Sequence, residues 1–489
     1  MEKIDHDIKL LFEQSVEGQS GVNLPQCDVP EASVSEAIPS ALLAATPVRL
    51  PEMCEREVTR HFTRLSERMM SVDANFYPLG SCTMKYNPKI NEWAADLPGF
   101  TAGHPYQDVQ DIQGSMELMY RLRQLLEEIA GLSEVSLHPA AGAHGELTAM
   151  MVVRAYFRDR GENRDEVLIP DTAHGTNPAS CALCGERVTI VKSTPEGLVD
   201  LDDLAAKITD NTAAMMITNP NTLGLFDKSI KKIADILHQR GAQLYLDGAN
   251  MNAIMGQVRP GDCGVDVMHY NLHKTFSTPH GCGGPGAGPI AVAEHLAPFL
   301  PAPQVDFVDG KYVWDFNRPK SIGKVRTFYG QFGVMVRAYT YIRALGHSGI
   351  KNVSDKAVLA ANYLGKKLEP FYTLPYPLPC MHEFVISAEK QKDDHGIRAL
   401  DIAKQLIDYG IHPPTIYFPL IVSECMMIEP TETETLETLD RFAAIMQRIA
   451  EQARTNPELA HQAPVTTPVS RVDEVKAARE PNLRWRYKE

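Results

Sequence analysis

Gln243-Leu-Tyr-Leu246-Asp247-Gly248-Ala249-Asn250 is an apolar run that ends on an aspartate and a glycine. Lys274 lies 27 residues beyond Asp247, in Tyr270-Asn-Leu-His273-Lys274-Thr275-Phe276, just past another apolar run, Val265-Asp-Val-Met268. Short apolar runs bounded by glycine and polar residues read as buried strands. Working upstream, Ala214-Met-Met-Ile217, Val188-Thr-Ile-Val191, Glu166-Val-Leu-Ile169 and Val135-Ser-Leu137 are further strands, with Pro289-Ile-Ala-Val292 downstream. Met119, Leu122, Leu125, Leu126 and Ile129 recur at helical spacing before Gly131, which is placed as a C-cap. Helices are also expected at His144–Arg158, Leu201–Ile208 and Ser229–Gln239. Strands alternating with amphipathic helices imply an α/β domain with a mainly parallel sheet. In such sheets the chemistry belongs to loops at the carboxyl ends of the strands.

From Gly330 the rhythm changes. Helical patterns at Val334–Leu345, Val353–Leu368, Gly396–Tyr409 and Glu432–Arg454 surround strand-like Glu383-Phe-Val-Ile386 and Met426-Met-Ile428. The expected organisation is an N-terminal arm and extension (1–110), a large α/β domain (111–330), a smaller C-terminal α+β domain (331–455) and a tail (456–489). Within the first part, Val22–Pro51 reads as extended chain and Glu55–Met70 as a helix.

Composition narrows the classes. The 489 residues are 44% hydrophobic and 22% charged, an ordinary globular balance. Forty-eight basic against 62 acidic residues give a net charge of −14, which disfavours nucleic acid and anionic membranes as partners. No apolar run approaches a membrane span, and Met1-Glu-Lys-Ile-Asp5 lacks a basic-then-apolar leader pattern, so a cytoplasmic protein is expected. Nine cysteines without regular spacing imply reduced thiols. The lone Cys181-Ala-Leu-Cys184 has no second ligand pair for zinc and reads as two buried small residues, so no metal is expected.

Three stretches converge on one chemistry. A lysine in a pocket, here Lys274, can lose its proton and condense with an aldehyde. An aspartate opposite it, here Asp247, can hold a pyridine nitrogen protonated and make the ring an electron sink. Ala140-Ala-Gly142-Ala143-His144-Gly145 opens a helix with small residues, offering backbone N–H groups to a phosphate and an imidazole to stack on a ring. These are the requirements of covalently held pyridoxal 5′-phosphate. Gly281-Cys-Gly283-Gly284-Pro-Gly286 matches G-x-G-x-x-G in letters, but its prolines and the lack of a following helix remove a dinucleotide reading.

Asn75-Phe-Tyr-Pro-Leu-Gly-Ser-Cys-Thr-Met-Lys85, Ala173-His-Gly-Thr-Asn-Pro-Ala-Ser180, Leu246-Asp-Gly-Ala-Asn-Met-Asn252, His273-Lys-Thr-Phe276 with Pro279-His280, and Ile428-Glu-Pro-Thr-Glu-Thr-Glu434 resemble glycine decarboxylase, the P-protein of the glycine cleavage system. The resemblance covers roughly residues 70 to 435 and points to the lysine-bearing half of the family, subunit 2. It implies a pyridoxal-phosphate transferase-like fold (fold type I). The activity it implies is glycine decarboxylation with transfer of the aminomethyl group to the lipoyl arm of the H-protein, an oxidoreductase reaction on CH–NH₂ with a disulfide acceptor. It also implies a heterotetramer with subunit 1 and functional links to the T-protein and L-protein.

Matched by motif, Lys274 is the cofactor lysine, Asp247 the partner of the pyridine nitrogen and His144 the stacked imidazole. Gly142, Ala143, Ala249, Thr275 and Asn219 complete the expected cofactor-binding set, and His174 and His273 are the candidates for receiving the glycine carboxylate. Thr275 or Ser321 is expected to donate to the phosphate, Asn221 shares the Asn219 turn, and Tyr77 is a substrate-loop candidate. Cys282 and the Cys181–Cys184 stretch depart from the usual family wording without touching Lys274, Asp247 or His144. Two rival readings remain at this stage. One is another fold-type-I enzyme, an aminotransferase or desulfurase; the other is a non-catalytic scaffold subunit, which has no need of Lys274 or Asp247.

Overall fold

The computed structural model describes residues 8–46, 48–281 and 286–484, so Cys282 lies outside the described residues. The chain forms two units, one spanning Val72–Val465 and the other made of the two ends, up to Ser71 and from Thr466. In the first unit, seven strands form one sheet among the described residues: β1 (Glu134–Ser136), β2 (Glu166–Pro170), β3 (Arg187–Val191), β4 (Thr212–Thr218), β5 (Gln243–Gly248), β6 (Val267–Tyr270) and β7 (Ile290–Val292). Their order is β1-β7-β6-β5-β4-β2-β3, parallel except for β7, which runs antiparallel to β1 and β6. Strands β2, β4, β5 and β6 are buried at every position, whereas in edge strand β3 only Val191 is fully buried. Helices on both faces of a parallel sheet produce this all-buried pattern.

Helix α1 (Gln113–Ala130) precedes β1, and the crossovers include α2 (Gly142–Asp159), α3 (Thr176–Cys184), α4 (Leu201–Lys207) and α5 (Ile230–Gln239). Gly131 ends α1 with a left-handed φ of 67°, a conformation that costs a glycine little. Leu122, on the buried face of α1, is fully enclosed in the core between that helix and the sheet. Leu122→Ala is expected to cost about 2–5 kcal/mol, read as a lower urea midpoint with an unchanged slope.

A smaller sheet, β10 (Phe384–Ser387), β11 (Thr415–Ile416) and β12 (Cys425–Ile428), is antiparallel in the order β10-β12-β11. A long helix α6 (Phe332–Leu368), then α7 (Ala399–Asp408) and α8 (Leu436–Thr455), pack a core around it. Between the two sheets in sequence lies the hairpin β8 (Gln304–Val308) and β9 (Lys311–Asp315), turned by Asp309 and Gly310 at φ of 50° and 79°.

Several elements differ from the sequence expectation. The strand expected at 265–268 lies at 267–270, because Asp266 precedes it and its carboxylate receives the Leu244 N–H at 2.7 Å. The two helices expected around residue 346 form one element, broken only at Gly346 (φ 63°). Helix α3 was not anticipated. Pro178 falls in its first turn, where a missing N–H costs nothing, and Gly185 closes it in the left-handed region. The compositional boundary at 110 falls inside the larger unit: Leu79 pairs with Ile428 beside the small sheet, and helix Lys89–Ala95 packs on α6.

In the second unit, helix Glu55–Glu67 follows a mostly exposed extended segment. Gln14 Nε2 meets His61 Nδ1 at 3.1 Å and the Glu52 carboxylate accepts the Gly18 N–H at 2.6 Å. No helix among the described residues is long and apolar enough to cross a membrane.

Candidate active site

The carboxyl ends of β4, β5 and β6 and the start of α2 enclose a cavity of about 270 Å³. Its wall includes Lys274, Asp247, His174, His273, Gly142, Ala143 and Ala249. Asp247 ends β5 and is buried. Its Oδ1 accepts the Ala249 N–H at 2.9 Å, its Oδ2 accepts the Asn177 amide at 3.1 Å, and His269 Nε2 lies 3.5 Å from Oδ1. His269 is itself fully buried on β6 and shares a 2.5 Å hydrogen bond with the Tyr245 hydroxyl; burial holds its imidazole below the usual range. A Cβ at Gly142 would sit 2.3 Å from Asn271 Oδ1, so any larger residue there must displace that side chain.

Lys274 follows β6, and its Nζ donates to the Ser81 carbonyl at 2.8 Å. Ser81 and Thr83 both hold left-handed backbone, at φ of 56° and 45°, which is strained for residues that carry a Cβ. Two buried carboxylates stabilise that loop. Glu383 accepts the Ser81 N–H (2.6 Å) and hydroxyl (2.9 Å), and Glu429 accepts the Thr83 N–H (2.9 Å) and hydroxyl (2.6 Å). His382 Nε2 lies 3.9 Å from Glu383 and 3.8 Å from Glu429, and all three side chains are fully buried.

Burial pushes the Glu429 carboxyl from its ordinary 4.5 up to about 7, and burial together with Glu429 pushes Glu383 well above the carboxylate range. Between those two values Glu429 keeps a proton in the folded chain that the unfolded chain has released. Its contribution therefore favours folding at low pH and is lost as pH rises through 4.5 to about 7. Glu429→Gln should remove this slope. Unfolding free energies of variant and wild type from urea curves, compared at pH 5 and pH 8, should diverge by on the order of 2–3 kcal/mol in the variant's favour at the higher pH.

Not every residue expected at the site reaches the cavity wall. Asn219 spends its amide on the Asp227 backbone, at 3.1 and 2.9 Å, and holds a turn; Asn221 likewise bonds Gly197, Leu223 and Leu225. Ser321 donates to the Leu300 carbonyl, and Tyr77 stacks on His412 with ring centres 3.6 Å apart. Thr275 is fully buried beside Lys274, with a hydroxyl that has no partner among the described residues. His144 stands in the first turn of α2, its Nδ1 accepting the Ala140 N–H at 3.1 Å. His273 lines the wall, accepts the Ala287 N–H at 3.3 Å, and is pushed down to about 3 by burial, with His280 packed edge-on 5.1 Å away.

The wall also holds Ser81, Glu146, Thr176, Asn250, His269 and Asn271, to which the sequence reading gave no role. Ser81, Thr176 and Asn250 lie inside motifs quoted above; Glu146 and His269 carry no sequence signal, since their approach to Asp247 depends on the register of α2 and β6.

Residues 28–307 match the family model described as glycine cleavage system P-protein, and residues 353–465 match glycine dehydrogenase, C-terminal domain. A Bacillus licheniformis protein described as probable glycine dehydrogenase (decarboxylating) subunit 2 is 54% identical over 482 residues, 98% of this chain and 99% of the relative. A crystal structure of inhibitor-bound glycine decarboxylase (P-protein) has a TM-score of 0.72 at 21% identity, covering 86% of this chain and 95% of that one. A cysteine desulfurase from Thermococcus onnurineus scores 0.61 at 15% identity, covering 78% and 95%. At those identities the two structures bear on the fold alone.

Fold and cavity together define an α/β enzyme of the pyridoxal-phosphate-dependent, fold-type-I class. The cavity suits that cofactor: Lys274 and Asp247 share its wall, Gly142 and Ala143 open a helix onto it, and its lining residues Thr218 and Asn250 carry buried oxygens, Oγ1 and Oδ1, with no hydrogen-bond partner among the described residues. The chain belongs to the glycine cleavage system P-protein family.

Proposed function

We propose that this chain, with a partner subunit 1, converts glycine and the lipoyl disulfide of an H-protein into CO₂ and an S-aminomethyl-dihydrolipoyl arm, within the cytoplasm. The observation that carries the reading is the shared cavity of Lys274 and Asp247 in a chain of this family. Bound pyridoxal phosphate supplies an electron sink for the pair left when the bond to the carboxylate breaks. Lys274 would hold the cofactor through Nζ, and the Ser81 carbonyl is the partner of that amine when it is free. Asp247, oriented by Ala249 N–H and Asn177, receives the ring N–H. Gly142 and Ala143, at the helix N-terminus, would hold the phosphate, with Thr275 as a further candidate donor and His144 as the candidate to stack on the ring. Of the two histidines expected to meet glycine, His273 is the candidate for its carboxylate, and His174 lies at the same cavity wall. T-protein and L-protein act on the loaded arm afterwards.

The test is the visible spectrum of the purified chain with subunit 1 after addition of pyridoxal phosphate, followed by borohydride reduction and peptide mapping. A reducible band whose label maps to Lys274 is expected. A colourless complex would favour the scaffold reading instead.

A further inference from the structure

Glu146 is a buried carboxylate in the cavity wall that the reaction above leaves unused. Its Oε1 accepts the Thr176 hydroxyl at 2.7 Å, and the Ser180 hydroxyl reaches Oε2 at 3.1 Å. Thr176 Oγ1 in turn lies 2.8 Å from His174 Nδ1, and His174 stands exposed at the cavity mouth. Three hydrogen-bonded groups thus run from the mouth to the floor, where Glu146 comes within 4.8 Å of Asp247 and His269. A base whose far nitrogen is oriented through a hydroxyl by a buried carboxylate follows the logic of nucleophile–base–orienter triads.

We propose that His174, Thr176 and Glu146 form a proton relay that takes the proton from the incoming glycine ammonium, with His174 as the base and Thr176 and Glu146 as positioning residues behind it. Glycine arrives as a zwitterion, and its nitrogen must lose a proton before it can bond to carbon. In the receiving state Nδ1–H donates to Thr176 Oγ1, Thr176 donates to the Glu146 carboxylate, and Nε2 offers its lone pair. The glycine N–H bond breaks and an Nε2–H bond forms; the Nδ1 proton moves to Thr176 and the Thr176 proton to Glu146. His174 ends neutral in its other tautomer and Glu146 ends as the acid. The Thr176 backbone N–H, 3.3 Å from Nδ1, then supports the lone pair left there.

Burial and the neighbouring Asp247 push Glu146 up to about 7, where it can take or release a proton at neutral pH, while burial holds His174 below the usual imidazole range. The ionisable groups facing this chain are Asp247 and Tyr245 from β5, His269 from β6, Cys181 from α3, and Lys274.

The relay rests on the proposed function only for the identity of the proton donor, so its test begins without the cofactor. Diethylpyrocarbonate modification of His174 in the full-length, cofactor-free chain, followed by mass spectrometry, gives a rate at each pH. The wild-type profile should show an inflection near the Glu146 value of about 7, retained in Thr176→Ser and lost in both Glu146→Gln and Thr176→Val. With subunit 1 and cofactor present, Glu146→Gln should slow the glycine-induced spectral change by about tenfold to a hundredfold at pH 7. An unaltered inflection in Thr176→Val, with unaltered circular dichroism, would overturn the relay. Wild type without any cofactor spectrum would count against the proposed function, and the His174 profile would still decide the relay.

Discussion

Lys274→Ala is expected to abolish the visible cofactor band and to lower glycine-dependent CO₂ release by about 10⁴-fold or more, because it removes the only covalent attachment the mechanism uses. Stability should change little. The side chain is partly exposed to the cavity and donates one hydrogen bond, to the Ser81 carbonyl, so alanine removes little packing. Parallel denaturant curves for variant and wild type, together with absorbance and CO₂ measurements on the same samples, separate the loss of chemistry from loss of fold. A Lys274→Ala protein that keeps the band and the activity would mean that another amine carries the cofactor.

Asp247→Asn is the second large effect, with a different signature. Asparagine fills the same space and can still accept the Ala249 N–H, but its amide cannot carry the negative charge that keeps a ring nitrogen protonated. CO₂ release is expected to fall by about 10²–10⁴-fold, the range of a lost proton-handling group. The Lys274-bound chromophore should still form, because Lys274 and the helix N-terminus of α2 are untouched. Loss in kcat with nearly unchanged cofactor content is the predicted split. Equal losses in cofactor binding and turnover would instead make Asp247 an anchor for the cofactor.

The sheet was readable from the sequence because its strands are buried on both faces and appear as uninterrupted apolar runs, as in Ala214–Ile217 and Leu244–Leu246. Lys274 and Asp247 could be read because each sits where such a run ends. The supporting groups were hidden for physical reasons. Left-handed φ at Ser81 and Thr83 has no sequence mark, since neither is glycine or asparagine; it persists because Glu383 and Glu429, about 300 or more residues downstream, satisfy the loop's donors. Asn219 looked like a ring neighbour because it ends β4, yet its amide is consumed by the Asp227 turn. Helix α3 carries no helical period in its sequence, with Pro178 and two cysteines, although a proline in the first turn is compatible with a helix.

These supports also explain why the cavity can be both rigid and reactive. Glu383 and Glu429 hold the loop that meets Lys274, while the Ala249 N–H and the Asn177 amide orient Asp247. A reacting group held by buried, hydrogen-bonded neighbours needs little rearrangement when charge moves. The rival fold-type-I readings predict other products from the same cavity. An aminotransferase would turn glycine into a keto acid and keep the carboxyl carbon, and a desulfurase would need a nucleophilic cysteine. Among the described residues, the cysteines in the body have thiols that burial pushes upward, Cys82 among them, which is the opposite of activation.

The most direct measurement is therefore the fate of carboxyl-labelled glycine incubated with the holoenzyme, this chain plus subunit 1, with and without lipoylated H-protein. Labelled CO₂ released in proportion to aminomethyl groups on the lipoyl arm, and only trace release without that arm, is the predicted result. Label retained in a keto acid, or CO₂ release indifferent to the lipoyl protein, would contradict the account.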